Sequence, residues 1–597
     1  MGTCCQVKEV VEDQKKNNSA NVNRKSKRSS SIILDKYSKQ KDFRKKYEYR
    51  SLIGSGAFGK VRLYVDKDTK SLKYAIKTIK KNIFNKHSIE SIKREVDILR
   101  SLDHPNIVKY FETYEDDYYL HIVMEYIAGD NLFLVLTDQK RFKFTERAIS
   151  KIMICLLKAV LFLHHNGIIH RDIKPENIVF IEQNNFNALK LIDFGLSIQQ
   201  NARKDNRRVG TPYYMAPEMI NGNFVYASDV WSIGVILFTM VTGKQPFRGK
   251  SKQEVFDKIR FGEYDTKSLQ RSKCSKELKD LIKKMLVIDH TKRITVECAL
   301  EHIWFKQFEI DKKINLVVDQ EIIESLKQFQ YQNVFQKEIR FYLAKLCNDK
   351  EILKLKHAFN AIDKDNSGEI EYEEIPKVFK ELGIEASDNE LKSIFSSMDF
   401  HCDGKVNYSE FLAATLSSIH FNKEEKLWSA FKYFDSSDTG YITLDSVKEA
   451  LKDSGVMIDE EGLHDAFTNL QKRGKKINFN EFKAIAFGNQ NEYKELDQDQ
   501  YPDDETAEHD SVKKNGKTSN KNISTKSLNR KKHDNNIIKE LVNENGIEEE
   551  KEKKVSEEVL SKNSNKENDG NNENKNHDQN KDLDKKLVLL NSNAEEQ

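Results

Sequence analysis

The spacing of apolar residues divides the chain into regions of different character. Between about 47 and 308, segments that alternate apolar and polar residues precede longer segments with helical spacing. The stretches YRSLIGSGAFGKVRLYV and LKYAIKTIK predict strands, whereas SKIMICLLKAVLFLHH predicts a helix. The pattern therefore predicts a domain over 47–308 with a small β-rich lobe followed by a larger helical lobe.

Beyond this domain the pattern is helical and then repetitive. Residues 309–350 form a helical linker that contains ESLKQF, and residues 351–488 contain four repeats. Asp363, Asp399 and Asp435 lie 36 residues apart, and each opens a short polar loop with Gly at its sixth position. A fixed period of this kind indicates repeated structural units.

Both ends of the chain are polar. Residues 1–46 include the basic run RKSKRSSS, and residues 489–597 are dominated by Asn, Lys, Glu and Asp with few aromatic residues. Such segments bury too little apolar area to offset the entropy of ordering them. We therefore predict a flexible N-terminal segment and a disordered C-terminal tail.

Composition narrows the class of protein. The formal net charge of +4 is too small to indicate a nucleic-acid-binding protein, so no nucleic-acid partner is expected. Seven cysteines without a CxxC pair argue against a disulfide framework or a zinc site and favour a reducing compartment. No apolar run approaches the roughly 18 residues that span a bilayer. These observations predict a cytoplasmic protein.

The first candidate chemistry lies in the predicted β-rich lobe. GSGAFGKV places Gly54, Gly56 and Gly59 where backbone N–H groups can close over phosphates. A dinucleotide-binding fold uses similar glycines, but it continues as a helix, whereas this segment continues as a strand. Lys77 in YAIK suits the α- and β-phosphates of ATP, and Glu95 in KREVDIL would pair with Lys77 from a helix.

Two further motifs complete a phosphoryl-transfer set. In HRDIKPEN, Asp172 can accept the proton of an attacking hydroxyl and Lys174 can neutralise the transferring phosphoryl group. Asn177 in the same motif and Asp193 of DFG are predicted Mg²⁺ ligands. The ordered set predicts a protein kinase rather than a chance collection of polar residues.

The repeats predict calcium loops of unequal quality. DKDNSGEIEYEE fits the twelve-residue EF-hand pattern, and its predicted Ca²⁺ ligands are Asp363, Asp365, Ser367, Glu369 and Glu374. DFHCDGKVNYSE offers Asp399, Asp403, Lys405 through its carbonyl, and Glu410, but it has His401 at position 3. Loss of one carboxylate is expected to weaken the second site without abolishing it.

Calcium binding by the third and fourth repeats is less favoured. In DSSDTGYITLDS the available ligands are Asp435, Ser437, Thr439 and Tyr441, and Ser446 replaces the bidentate carboxylate. Whether this loop binds calcium stays open on sequence alone. In NLQKRGKKINFNEF, Lys472 stands at position 3 when Glu481 is placed at position 12, so the fourth loop is predicted to bind none.

The N-terminus MGTCCQ offers sites for acylation. Gly2 is a candidate for myristate, and Cys4 and Cys5 are candidates for palmitate, although Gln6 departs from the usual Ser or Thr. Two acyl chains give stable anchoring where one is marginal, and a basic run adds attraction to an anionic leaflet. The sequence thus predicts an inner-leaflet anchor, and the alternative is a start whose cysteines have no such role.

Residues 47–308 resemble a eukaryotic Ser/Thr protein kinase. In that resemblance Val61, Glu125 and Tyr126 join the ATP-binding residues, with Glu125 and Tyr126 opening the hinge after Met124. The resemblance also pairs Glu218 of MAPE with Arg293, and it has Asp229 brace the catalytic loop. Substrates with basic residues before the acceptor remain plausible, because Glu176 is retained, although Asn131 stands where an acidic residue is frequent.

Together with the linker and the EF-hand-like repeats, the chain resembles the calcium-dependent protein kinases of plants and protists. This resemblance implies an α+β bilobal kinase fold followed by an all-α EF-hand domain, with ATP, Mg²⁺ and Ca²⁺ as cofactors. It also implies that the linker obstructs the catalytic cleft until calcium-loaded EF-hands grip it. A linker that merely packs on the large lobe, a catalytically dead scaffold, and a kinase controlled elsewhere are the alternatives.

The activation segment adds one constraint on control. From Ile198 to Gly210 it contains no Ser, Thr or Tyr, so no hydroxyl there can carry an activating phosphate. Either Asp205, the only acidic residue of this stretch, partly neutralises Arg171 in place of a phosphate, or no such neutralisation is needed. The missing hydroxyl moves the expected switch downstream, to the loop that begins at Asp363.

Overall fold

The structure of the protein is a computed structural model, and it describes most of the predicted domains. It describes residues 38–39, 42–56, 59–81, 86–138, 144–183, 185–200, 210–308, 318, 320–416, 423–454, 463 and 476–487. All of them belong to one compact unit within Met1–Asp497. The N-terminal acylation sites, Asp205, the predicted fourth calcium loop up to residue 475 and the C-terminal tail lie outside the described residues.

In the described residues of the small lobe, a six-stranded sheet is accompanied by one α-helix. Its elements are β1 (Ser38–Lys39), β2 (Tyr47–Gly56), β3 (Gly59–Asp66), β4 (Lys73–Lys80), α1 (Lys86–Ser101), β5 (Tyr110–Glu115) and β6 (Tyr119–Glu125). The strand order is β1-β5-β6-β4-β3-β2, and all neighbours are antiparallel except β1 and β5.

The two faces of this sheet enter different cores. Ile122 packs into the main core with Val96 of α1, whereas its neighbour Val123 packs into a separate aromatic cluster with Tyr74 and Phe43. Successive side chains of a strand point to opposite faces, which explains the division. The predicted β-rich lobe is confirmed.

The large lobe is mainly helical and carries short strands beside the cleft. Its strands are β7 (Ile168–Ile169), β8 (Ile178–Glu182), β9 (Asn185–Leu191) and β10 (Ile198–Gln199). Its helices are α2 (Leu132–Thr137), α3 (Glu146–His165), α4 (Pro217–Ile220), α5 (Tyr226–Thr242), α6 (Lys252–Phe261), α7 (Thr266–Arg271), α8 (Lys276–Met285), α9 (Val296–Leu300) and α10 (Ile303–Lys306).

Helix α3 corrects one expectation from the sequence. It is long and apolar enough to cross a membrane, although no such run was expected. Two thirds of its most apolar stretch is buried inside the protein. Leu156, Leu157 and Val160 pack in the main core, so the apolar composition is that of a central core helix.

The regulatory half, defined as the described residues 320–487, is helical with one small sheet. Its helices are α11 (Gln320–Phe329), α12 (Val334–Leu346), α13 (Leu353–Ile362), α14 (Glu374–Glu381), α15 (Asp388–Met398), α16 (Tyr408–Thr415), α17 (Glu424–Phe434), α18 (Leu444–Ser454) and α19 (Phe479–Phe487). Strands β11 (Ile442–Thr443) and β12 (Lys476–Ile477) pair antiparallel.

The linker helix α12 lies inside the core of the EF-hand-like repeats. Phe335, Ile339 and Leu343 are fully buried there, and the Phe335 ring packs edge-on against Phe434 with centroids 5.2 Å apart. Asn333 caps the helix by accepting a hydrogen bond from the Gln336 N–H. In this arrangement the repeats enclose helix α12 of the linker.

Candidate active site and calcium sites

A glycine-rich hairpin forms one wall of the cleft. Gly54 pairs with Val61 and Gly56 pairs with Gly59 across β2 and β3. A Cβ at Gly59 would lie 2.3 Å from the Thr78 carbonyl oxygen, and the residue has a φ of +127°. Only glycine fits there, so the close approach of the strands depends on it.

Lys77 connects three elements of the cleft. Its Nζ lies 2.7 Å from Glu95 Oε1 on α1 and 2.7 Å from Asp193 Oδ1 of the DFG motif. Burial by itself would lower the pKa of Lys77, but the two carboxylates outweigh it and raise the pKa well above the usual range. The ammonium is therefore charged and held, as contact with ATP phosphates requires.

The catalytic loop surrounds Asp172 with donors. Lys174 Nζ lies 2.8 Å from Asp172 Oδ2, and the Asn177 side-chain amide donates to the same oxygen at 3.2 Å. The Thr211 N–H and hydroxyl donate to Asp172 Oδ1 at 3.2 and 3.1 Å. These contacts fix the orientation of the Asp172 carboxylate in the cleft.

Asp229 holds the backbone next to Asp172 in place. The Asp229 carboxylate accepts hydrogen bonds from the N–H groups of His170 and Arg171, each at 3.0 Å. Arg171 and Asp193 adopt left-handed backbone conformations, with φ of 66° and 64°. Strained residues of this kind persist only where their surroundings hold them, and they cluster at functional sites.

A buried ion pair closes the activation segment. Arg293 Nη1 and Nη2 donate to the two carboxylate oxygens of Glu218 at 2.7 and 2.9 Å. The Arg293 guanidinium also stacks over the Trp231 ring, with 5.0 Å between Cζ and the centroid. The predicted pair is present and is bidentate, which gives it geometric specificity.

The predicted hinge residues Glu125 and Tyr126 lie at the end of strand β6 and directly after it. Met124 lies opposite Ala75 in the sheet, and Glu125 ends β6. Glu125 Oε1 accepts a hydrogen bond from the Lys109 N–H at 2.6 Å, and Lys190 Nζ lies 2.9 Å from the same oxygen. Tyr126 follows and is partly buried.

The residues of the cleft fit a magnesium-assisted phosphoryl transfer. Asn177 uses its amide nitrogen on Asp172, which leaves its amide oxygen for a metal, and the Asp193 side chain is 29% exposed. Mg²⁺, when bound, neutralises charge on the phosphates. The Asp172 carboxylate and the ammonium groups of Lys77 and Lys174 are the groups that proton transfer and phosphate binding would use.

The first calcium loop brings three carboxylates together. One oxygen from each of Asp363, Asp365 and Glu374 lies within 4.8 Å of the others. Asp363 is 2% exposed, and its Oδ1 has no hydrogen-bond partner among the described residues. Burial, opposed in part by Lys158, raises the pKa of Asp363 to about 7. A crowded, buried anion with an unused oxygen fits a bound Ca²⁺.

Ser367 and Glu369, the other predicted ligands of this loop, contact each other. The Ser367 hydroxyl donates to the Glu369 carbonyl at 2.9 Å. Ile370 and Val406 exchange backbone hydrogen bonds at 2.8 and 2.9 Å, which joins the first loop to the second. Lys405 of the second loop extends its ammonium to 2.9 Å from Glu369 Oε2. The two loops therefore form one pair.

In the second loop the His401 ring contacts Glu410, the predicted bidentate ligand. His401 Nδ1 lies 2.5 Å from Glu410 Oε1. Asp399 accepts hydrogen bonds from the N–H groups of Asp403 and Gly404, each at 3.0 Å. The loop thus has the EF-hand turn, and the side chain at position 3 is an imidazole, a poorer ligand for a hard cation than an oxygen.

The third loop has the turn of an EF-hand without its clamp. Its available ligands are Asp435, Ser437, Thr439 and Tyr441. Asp435 Oδ1 accepts from the Thr439 N–H at 2.8 Å, and its Oδ2 lies 3.9 Å from Lys432 Nζ. The Ser446 hydroxyl donates to the Thr443 carbonyl at 2.9 Å. Among the described residues, only the first loop gathers three close acidic side chains.

Comparisons with known proteins agree with both halves of this arrangement. The protein kinase domain matches residues 47–305, and the EF-hand domain pair matches residues 352–416. Calcium-dependent protein kinase 34 of Arabidopsis thaliana is 34% identical over 448 residues, which cover 74% of this chain and 84% of that protein. The chain belongs to the calcium-dependent protein kinase family.

Other members of the family match over a similar extent. Calcium-dependent protein kinase 7 of Arabidopsis thaliana is 36% identical over 415 residues, covering 69% of this chain and 77% of that protein. Calcium-dependent protein kinase 11 of Oryza sativa subsp. japonica is 34% identical over 442 residues, covering 73% and 75%. This calcium-dependent protein kinase is a Ser/Thr kinase regulated by calcium, with ATP, Mg²⁺ and Ca²⁺ as its cofactors.

One residue of the kinase site was missed from sequence. The Thr211 hydroxyl lies between the catalytic groups, donating to Asp172 and accepting from Lys174 Nζ at 3.2 Å. The signal was present in GTPYYMAPE, where a Thr directly precedes Pro. Its contact with a residue 39 positions earlier became visible only in the folded chain.

Proposed function

We propose that this chain is a cytoplasmic, membrane-anchored kinase that phosphorylates Ser and Thr in basic protein segments when calcium fills its first two loops. The single observation that carries the proposal concerns the kinase domain and the regulatory half together. The Lys77, Glu95 and Asp193 contacts are made while helix α12 lies in the core of the regulatory half.

The geometry of the cleft supports the proposed catalytic roles. Asp172 is the general base, Lys174 and Lys77 stabilise phosphate charge, and Asn177 and Asp193 hold Mg²⁺. The glycine hairpin covers the phosphates, and the hinge at Glu125 and Tyr126 receives the adenine. The polar contacts that Asp172, Asn177 and Asp193 make among the described residues all lie inside the kinase domain, so none of these contacts is to helix α12.

Calcium control rests on the first pair of loops. The first loop supplies the strongest site, because its three carboxylates are gathered around an unused Asp363 oxygen. The second loop binds more weakly because of His401. The third loop is left out of the proposed trigger because Ser446 cannot clamp a cation with two oxygens. With the loops loaded, the regulatory half retains α12 and keeps it out of the cleft.

Preference for a basic segment rests on Glu176. Its Oε2 is buried and has no hydrogen-bond partner among the described residues. Burial raises the pKa of Glu176, a cost that a substrate guanidinium would relieve. Asn131 is used elsewhere, since its side chain caps α2 by accepting from the Leu134 N–H at 2.9 Å. Glu176 is therefore the acidic group proposed to bind an arginine before the acceptor.

The test is phosphorylation of a Ser peptide with upstream arginine, with calcium or with chelator, by the full chain and by Glu176→Gln. We expect strong activity only with calcium. Glu176→Gln is expected to lower kcat/KM for this peptide by about tenfold, since a hydrogen bond to a charged group contributes ~1.5–3 kcal/mol. The same peptide with alanine in place of arginine is the control, and the variant should leave its kcat/KM unchanged.

The outcomes separate the alternatives. Equal activity in calcium and in chelator would refute calcium gating. No activity under any condition would favour a scaffold with a dead kinase fold. Equal losses on the arginine and alanine peptides would remove Glu176 from substrate selection.

The N-terminus supports a membrane location. Gly2 with Cys4 and Cys5 would carry two kinds of acyl chain, and the basic run RKSKR would add attraction to an anionic inner leaflet. Mass spectrometry of the native N-terminus is expected to find myristate on Gly2 and palmitate on at least one cysteine. Gly2→Ala should move the protein from the membrane fraction to the soluble fraction. An unmodified Gly2 in the native protein would contradict the anchor.

A further inference from the structure

The regulatory half meets the kinase domain through a buried set of charges that we call the ionic dock: Glu125, Lys190, Asp349 and Lys356. Lys190 Nζ lies 2.9 Å from Glu125 Oε1 and 3.7 Å from Asp349 Oδ1. The Lys190 side chain is fully buried, and that of Asp349 is 9% exposed. Two carboxylates, one from each half of the chain, thus share one buried ammonium.

Asp349 is the anion that makes this burial tolerable. Burial tends to raise the pKa of Asp349, but Lys190, Lys356 and Lys109 outweigh it and lower the pKa. Lys356, also buried, donates to the Pro105 carbonyl oxygen at 2.9 Å. Removing one partner of a buried ion pair leaves an uncompensated charge and is strongly destabilising. Asp349 therefore contributes the charge that balances the buried ammonium groups where the two halves meet.

The kinase side of the dock includes Glu125, a residue of the proposed nucleotide site. Glu125 opens the hinge, and its carboxylate also accepts the Lys109 N–H at 2.6 Å. Lys190 lies on β9, three residues before Asp193. The same ammonium thus contacts the residue that starts the hinge and belongs to the strand that leads to a proposed Mg²⁺ ligand.

Contacts around the dock hold the two halves in one register. Lys158 of α3 donates to Asn360 Oδ1 at 2.8 Å, and the Ser409 N–H donates to Asp103 Oδ2 at 2.7 Å. A Cβ at Gly368 would lie 2.7 Å from the ring of His104, so the first calcium loop itself touches the kinase domain. The position of Asp349 is consequently tied to the conformation of the calcium-binding pair.

We propose that Asp349 is a positioning residue that couples docking of the regulatory half to nucleotide binding. By completing the neutralisation of Lys190, it fixes the Glu125 side chain and with it the first residue of the hinge. The inference rests on the proposed role of Glu125 and Tyr126 in binding adenine. Because coupling between two binding events is reciprocal, nucleotide binding also favours docking.

The test compares Asp349→Asn with Lys350→Gln in the full chain at saturating calcium. Asn keeps the size of Asp349 but removes its charge. We expect the KM for ATP to rise about fivefold or more, in the range of typical site-to-site coupling, while kcat at saturating ATP changes less than twofold. Lys350 is the matched control, since it is adjacent and also reaches the kinase domain, at Glu182 2.8 Å away, but its side chain is 73% exposed and solvent screens the pair. Lys350→Gln should leave both constants unchanged.

A double-mutant cycle tests whether Asp349 affects ATP binding through Lys190. In a Lys190→Met background, Asp349→Asn is expected to have little further effect on the KM for ATP, because the charge it neutralises is gone. Asp349→Glu, which keeps the carboxylate, should have a KM for ATP within about twofold of that of the unaltered protein. If Asp349→Asn has a lowered melting temperature, Asp349→Glu serves as the readout. Additive effects in the cycle, or an unchanged KM in Asp349→Asn, would overturn the inference.

Failure of this inference is distinguishable from failure of the proposed function. An unaltered KM in Asp349→Asn together with calcium-stimulated activity would remove Asp349 and leave the calcium-gated kinase standing. A full-length chain that phosphorylates no peptide under any condition would instead remove the proposed function.

Discussion

Asp172→Asn is expected to lower kcat by about 10²–10⁴-fold, the contribution typical of a positioned general base. The amide keeps the shape of the carboxylate and can still accept the Thr211 hydrogen bonds at Oδ1. It cannot take a proton from the acceptor hydroxyl. The measurement is steady-state peptide phosphorylation at saturating ATP and calcium, with nucleotide binding measured in parallel.

Two controls make this result specific. Asp257→Asn carries the same chemical change at a half-exposed position paired with Arg260, and it should retain full activity. The melting temperature of Asp172→Asn should stay near that of the unaltered protein, since Lys174 and Thr211 can still pack around the amide. Activity within twofold of the original in Asp172→Asn would assign the base to another residue.

Glu374→Gln is expected to raise the calcium concentration for half-maximal activity by at least about tenfold. Glu374 is 6% exposed and belongs to the only close group of three carboxylates among the described residues. Loss of its charge removes the bidentate clamp at position 12. A lost contact to a charged group costs ~1.5–3 kcal/mol, and ~1.4 kcal/mol corresponds to a factor of ten.

The matched control is Glu481→Gln, at the corresponding position of the fourth repeat. Glu481 Oε2 accepts the Asn478 N–H at 2.8 Å, so the substitution removes charge from a similar backbone contact. Because the fourth loop is predicted to bind no calcium, the calcium activation curve of Glu481→Gln should coincide with that of the unaltered protein. Maximal activity at saturating calcium should survive in both variants. If the calcium activation curve of Glu374→Gln coincided with that of the unaltered protein, the first loop would not be the trigger.

Several features of the fold and site were predictable because they depend on short segments. Alternation in LKYAIKTIK predicted β4, and the twelve-residue spacing that begins at Asp363 predicted the first loop. Glycine was needed at Gly59 because a side chain would collide with Thr78. In each case a few neighbouring residues determine the local backbone, so the sequence pattern is sufficient.

The family resemblance extended these predictions to distant pairs. Glu95 with Lys77 and Glu218 with Arg293 are separated by 18 and 75 positions, and both pairs are present. Neither spacing carries a physical signal that the side chains should meet. The pairing was predictable because the order of the motifs is that of a kinase, whose fold brings those positions together.

Other contacts had no counterpart in any motif. Thr211 approaches Asp172 only because the activation segment returns over the catalytic loop. His401 was expected merely to be a poor ligand, but the folded loop places its ring against Glu410. Asp349, in a connection between two helices, gave no sign in sequence that it would meet Lys190, 159 positions away.

By itself the sequence determined the class of enzyme, the elements and the chemistry of each site, because motif residues act through backbone geometry encoded within a few positions of them. Only the tertiary structure decided how the halves meet. It placed helix α12 inside the EF-hand core and brought Asp349 to Lys190. Burial of apolar surface is non-directional, and many arrangements can satisfy it. The particular arrangement is selected by buried charges that must find partners, and those partners are distant in the chain.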